Sequence, residues 1–148
     1  MNVINEIDEI IRELSKILGK PIDPKFYEIH DRGIPHKPKS MPKETMGIYT
    51  FWYEGKALKI GKAGPKSNPR FLSQHYNPKS TQSTLAASIL RDENMYHTGV
   101  VETNVGEWIK DNCQRVDILF SVELGIFTLK LIEAALHYKY DPVYEGFA

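Results

Sequence analysis

Between residues 55 and 80 the chain carries Lys56, Lys59, Lys62, Lys66, Arg70 and Lys79 without one Asp or Glu, and His75 and Tyr76 fall inside the same stretch. The whole chain is neutral, with 19 Lys and Arg against 19 Asp and Glu, so no bulk charge attracts it to phosphate. A local basic face on a neutral protein is therefore the pattern to explain. Such a face suits the backbone of a nucleic acid, and it equally suits a solvated loop. Residues 1–19 show the opposite bias, with four acids against two bases. Taken alone, Glu133 shares a helical face with Lys130 and His137 and reads as part of an exposed stripe. Tyr49, in an aromatic run, reads as a packing residue. His30 and His36 have no partners at metal-ligand spacing, and Cys113 is the single cysteine, which rules out an intrachain disulfide or a multi-thiolate zinc site.

The elements that must carry these residues follow from periodicity. Val3, Ile4, Ile7, Ile10, Ile11, Leu14, Ile17 and Leu18 recur at helical spacing, with Asn2 placed as N-cap and Gly19 as stop. Glu6, Glu9 and Glu13 share the outer side, so this helix packs on a core and does not touch nucleic acid. Residues 20–45 carry prolines at 21, 24, 35, 38 and 42 and read as a long irregular arm, moderately basic through Lys25, Arg32, Lys37, Lys39 and Lys43. Residues 47–53 and 56–61, joined by Glu54-Gly55, predict a β-hairpin, with Tyr49, Phe51 and Tyr53 facing one way and Ile48, Thr50 and Trp52 the other, one set toward the core and one outward. A short helix follows Pro69 over 70–76, and a second amphipathic helix covers 81–91. Residues 105–112 suit a helix burying Trp108 and Ile109, 116–122 a third strand, and 127–140 an apolar helix that stops before Pro142.

A length of 148 residues with a 41% hydrophobic fraction fits one ordinary domain. No apolar run nears the roughly 18 residues that a membrane helix needs. The acidic N-terminus does not read as a secretory signal, so the expectation is a soluble, cytoplasmic protein.

The order hairpin, arginine helix, buried carboxylate helix brings in a resemblance. Gly47-Ile48-Tyr49, then Lys59-Ile60-Gly61-Lys62-Ala63, then Arg70, then Glu133 within Leu131-Ile132-Glu133-Ala134 resemble the motifs of the GIY-YIG nucleases, over about residues 47–145. Each motif is short, and their joint order carries the likeness. Two positions depart from the family pattern: Lys59 stands where a second tyrosine is usual, and Glu145 where an asparagine is usual. The resemblance implies an α+β fold, a small three-stranded antiparallel sheet flanked by helices, with the N-terminal helix and proline-rich arm (1–45) packed on a nuclease domain (46–148).

It also implies roles. Tyr49 would be the general base in phosphodiester hydrolysis, Arg70 would grip the phosphate with its planar fork, and Glu133 would hold one Mg²⁺ or Mn²⁺ that keeps several waters. A phenol of ordinary pKa about 10 must come down roughly three units to act at neutral pH, about 4 kcal/mol of differential stabilisation. With the turn centred on Glu54, Lys59 lies on the face of Tyr49 and would favour its phenolate or touch phosphate. His75 or Tyr76 would relay a proton or orient water, with His137 near the ion. Glu145 would add a carboxylate or bind backbone donors. Lys56, Lys62 and Lys66 would contact the phosphate backbone, of DNA by expectation. Cutting both strands would take two active sites, hence a homodimer or a partner. Two other classes stand beside this one: a catalytically silent nucleic-acid-binding module of the same fold, and a structural or protein-partner domain.

Overall fold

The structure, a computed structural model, describes residues 2–81 and 83–144. Five α-helices and four strands alternate with short 3-10 turns: α1 (Val3–Ile17), β1 (Tyr27–Gly33), β2 (Thr45–Tyr53), β3 (Lys56–Ala63), α2 (Asn68–Leu72), α3 (Leu85–Arg91), α4 (Val105–Asn112), β4 (Gln114–Ser121) and α5 (Ile126–Tyr140). The strands form one antiparallel sheet in the order β1-β4-β2-β3. The fold is α+β, and the sheet has four strands, not the three expected from sequence. The extra strand β1 lies inside the proline-rich arm and pairs along β4, Tyr27 opposite Phe120 and Ile29 opposite Ile118. Tyr27 and Ile29 alternate with Glu28 and His30 over its first four residues, as an edge strand covered on one face requires, and Asp31 and Arg32 follow.

The hairpin forms where its turn chemistry places it. Glu54 and Gly55 both take positive φ, +50° and +78°, the two-residue turn whose twist suits a tight hairpin. Tyr49 then pairs with Gly61 and Phe51 with Lys59, and a bulge between Phe51 and Trp52 absorbs one residue. Helices pack on both sides of the sheet, so both faces of β2 are covered. Tyr49 and Phe51 enter one core with Phe71, Leu85, Ile89, Val105 and Ile109. Ile48 and Trp52 enter a second core with Ile7 and Ile11 of α1 and Leu129, Ile132 and Leu136 of α5. Neither set faces outward, which corrects the one-sided alternation expected from sequence. Trp108, expected to be buried, is only half-buried, although Ile109 beside it is fully buried.

Helix α1 starts as predicted, with the Asn2 side chain accepting from the Ile4 and Asn5 amides. Helices α2, α3 and α4 thus lie on one side of the sheet and α1 and α5 on the other. The outer edge of β3 runs between these two layers, and the Val143 and Tyr144 amides donate to the Ala57 and Leu58 carbonyls along it. Among the described residues no helix is long and apolar enough to cross a membrane.

Candidate active site

A cavity of about 400 Å³ opens at that β3 edge, and Tyr49, Lys59, Gly61, Lys62, Arg70, His75, Ser83, Glu133 and His137 are among the residues that line it. It draws side chains from both layers. Lys59 and Gly61 project to the α2 side with Tyr49, and Lys62 projects to the α5 side with Glu133.

Gly61 is what lets Tyr49 reach the edge. The two residues are register partners, and a Cβ on Gly61 would lie 2.3 Å from the Tyr49 hydroxyl and 2.5–2.6 Å from two ring carbons, so the phenol crosses directly over the glycine. Gly47 does the same for the next layer: a Cβ there would sit 2.6 Å from the Phe71 ring. Phe71 stands edge-on to Tyr49 at 6.3 Å between centroids. The motif glycines therefore pack aromatic rings onto a strand, which a side chain at either position would block.

His75 comes off a 3-10 turn (Gln74–Tyr76) and is buried, with Nε2 2.6 Å from the Tyr49 hydroxyl. Its Nδ1 accepts the backbone N–H of Leu85 at 3.1 Å, at the start of α3. A nitrogen that accepts carries no proton, so the neutral ring has its hydrogen on Nε2 and donates it to Tyr49. The neutral form is enforced. Burial first, then the charges of Lys59, Arg115 and Arg70, push the His75 pKa down to about 3. The Tyr49 oxygen thus accepts from His75, and its own proton is free to point into the cavity.

Burial raises the Tyr49 phenol to about 12. Arg70 and Arg115 oppose this shift and Glu133 adds to it. The cations that favour phenolate are thus the two arginines, while Lys59 acts on His75. Lys59 is buried, its ammonium donates to the Ser83 carbonyl at 2.9 Å, and burial followed by Arg70 and Arg91 lowers its pKa. Arg70, at the exposed mouth on α2, makes no hydrogen bond or ion pair with a described residue and has its guanidinium available to an anion.

Tyr76 does not join this cavity. It is buried on the other side of the turn, with its hydroxyl 2.7 Å from His36 Nε2 and 2.9 Å from Arg115 Nη1. Consecutive residues of a tight turn point in different directions, so only one of the pair can meet Tyr49. Lys62 lines the cavity, whereas Lys56 stands exposed beside the hairpin turn and Lys66 in the loop before α2, neither on the cavity wall. Glu145 lies outside the described residues.

Sequence reading missed the support beneath the site. Arg115 and Asp117 on β4 are fully buried and paired at 2.7 Å, and Asp117 also takes Arg32 of β1 at 3.0 Å. Arg115 donates to the Phe71 carbonyl, where the helix bearing Arg70 ends, and to Tyr76, next to His75. His36 closes the network, with Nδ1 donating to the Cys113 carbonyl at 2.6 Å. One buried guanidinium therefore ties two cavity-bearing segments to the sheet. The signal available in the sequence was two charged residues two apart in an otherwise apolar strand, which places both on one covered face.

Among the described residues no group of three or more His, Cys, Asp or Glu forms a metal cage. Glu133, with 17% of its side chain exposed, is the carboxylate on the cavity wall. Its helix neighbour His137 has Nε2 2.7 Å from the Ile60 carbonyl, so that nitrogen carries a proton and is not a ligand. One carboxylate facing a roomy polar cavity fits Mg²⁺ or Mn²⁺, which retain waters and accept phosphate oxygens; it does not fit Zn²⁺ or an all-protein Ca²⁺ cage. Compared with protein-family models, curated proteins and solved structures, the chain matches none.

Proposed function

We propose that the chain is a metal-dependent endonuclease that hydrolyses nucleic-acid phosphodiester bonds, DNA in the first instance, at the β3-edge cavity. The observation that carries the reading is that Tyr49, Lys59, Arg70, His75 and Glu133, from five separate elements or turns, line one open cavity.

Each side chain has a task in this reading. Arg70 grips the non-bridging phosphate oxygens with its exposed fork, and Lys59 adds positive charge from below. The Tyr49 phenolate, formed once the phenol has given its proton to solvent, takes a proton from water; the resulting hydroxide attacks phosphorus, the P–O ester bond opposite it breaks, and the departing oxygen takes a proton from solvent. His75, donating from Nε2, holds the phenol oxygen and stabilises it when it is ionised. Glu133 would hold Mg²⁺ or Mn²⁺, which when bound would polarise the phosphate as a Lewis acid and offset the charge of the departing oxygen. Neutralising Glu133 also removes one of the influences that hold the phenol near 12. The same reading places the protein in the cytoplasm, without a membrane partner, and cutting both strands takes two copies.

That high phenol pKa favours a second reading, a nucleic-acid-binding module that keeps the fold and does not turn over. Incubation of the purified chain with supercoiled plasmid separates the two. The endonuclease nicks in Mg²⁺ or Mn²⁺, stops in chelator, and loses at least about 10²-fold in rate in Tyr49→Phe and Glu133→Gln. Binding without nicking supports the silent module, and nicking that survives both substitutions overturns the assigned roles.

A further inference from the structure

Lys62 and Glu133 meet across the β3 edge, the ammonium 3.4 Å from each carboxylate oxygen. That equidistant approach puts the Lys62 nitrogen in the plane midway between the two carboxylate oxygens, so it favours neither. The contact is also loose. Charge-assisted hydrogen bonds run about 2.7–2.9 Å, so 3.4 Å is an ion pair at its outer reach. With 39% of the lysine side chain and 17% of the carboxylate exposed, water competes for both partners. His137 does not take Lys62's place, because its Nε2 is turned to the Ile60 carbonyl. Lys59 does not either, because its ammonium is directed to Ser83. Among the described residues, Lys62 is thus a cation in direct contact with the candidate metal ligand.

We propose that Lys62 is the site's own competitor for the divalent cation, seated on Glu133 in the resting protein and released toward the substrate phosphate when the metal ion takes the carboxylate. This rests on the endonuclease reading above, since it takes Glu133 as the metal ligand. Two consequences follow from charge alone. Metal binding must break the Lys62–Glu133 pair, so the apparent metal affinity of the free protein is lowered by the strength of that pair. The freed ammonium, on a side chain long enough to swing, then adds a phosphate contact that did not exist before, so metal and nucleic acid strengthen each other's binding.

The test is titration of the full chain with Mn²⁺, following free Mn²⁺ by electron paramagnetic resonance without nucleic acid. A half-exposed pair of this kind corresponds to about a two- to five-fold change in affinity, so Lys62→Gln should bind Mn²⁺ tighter by that factor. Lys62→Arg, which keeps the pair, should bind no tighter than wild type. Lys66→Gln removes the same charge from an exposed loop position and should change affinity by less than two-fold. Glu133→Gln should abolish the site. Equal tightening in Lys62→Gln and Lys66→Gln would show only a long-range charge effect and overturn the proposal, as would unchanged or weaker binding in Lys62→Gln; the endonuclease reading would survive either result. Absence of any Glu133-dependent Mn²⁺ binding would overturn both.

Discussion

Replacing Gly61 with alanine probes the geometry on which the site depends, without reference to any activity. The added methyl would lie 2.3–2.6 Å from three atoms of the Tyr49 phenol, well inside van der Waals contact. The ring has no easy retreat, since it is 2% exposed and lies against Phe71 and His75. Overpacking of this kind costs about 1–3 kcal/mol, and pulling the hydroxyl off His75 costs about 1 kcal/mol more. The expected loss is thus about 2–4 kcal/mol, or roughly 4–16 °C in melting temperature for a domain of this size. Urea unfolding followed by fluorescence of Trp52 and Trp108 measures it. The diagnostic comparison is the cycle with Tyr49→Ala, which removes the clashing ring: in that background Gly61→Ala should be nearly neutral, giving a coupling of about 2–4 kcal/mol. A single-mutant cost below about 0.5 kcal/mol, or additive single and double variants, would mean that Tyr49 does not cross β3 at Gly61.

Other expectations concern the buried groups around the phenol. Because the folded pKa of His75 lies near 3, below its ordinary 6.5, the unfolded chain takes up the proton first and stability falls as pH drops from 6.5 toward 3. At pH 4.5 that loss is about 2–3 kcal/mol, and His75→Gln should flatten it; parallel pH-stability curves for the two proteins over pH 4.5–6.5 would contradict the neutral, Nε2-protonated histidine. Arg115→Gln takes from Asp117 its buried partner, leaving it Arg32, and leaves the Phe71 carbonyl and Tyr76 hydroxyl short of a donor, so it should cost about 3–5 kcal/mol in urea unfolding, several-fold more than Lys66→Gln at the exposed loop before α2.

The residues whose local chemistry is self-sufficient were legible in the sequence. Asn2 capping α1, Glu54-Gly55 turning the hairpin, and the same-face placement of Tyr49 and Lys59 all follow from spacing within a few residues. The meeting of Arg70, His75 and Glu133 at one cavity came from motif order and not from periodicity. What stayed hidden depends on long-range pairing. β1 sits among prolines and has polar residues at alternate positions, so its strand character appears only when β4 supplies the ladder. Tyr49, Phe51, Ile48 and Trp52 gave a clean alternation, but alternation cannot tell whether one face or both will be covered. His75 and Tyr76 were indistinguishable as neighbours, since the tight 3-10 turn decides which meets Tyr49 and which meets Arg115. Arg115 fell one residue before the expected strand, and its partners Phe71 and Tyr76 lie 44 and 39 residues away.

Anomalous diffraction from crystals grown with Mn²⁺ and a short phosphorothioate-containing duplex tests directly whether ion, phosphate and phenol meet at the β3 edge. One manganese peak is expected within coordination distance of the Glu133 carboxylate, with a backbone phosphate between that ion and Arg70 and the Tyr49 hydroxyl facing the phosphorus. A manganese peak elsewhere, or a duplex bound away from the β3 edge, would contradict that arrangement.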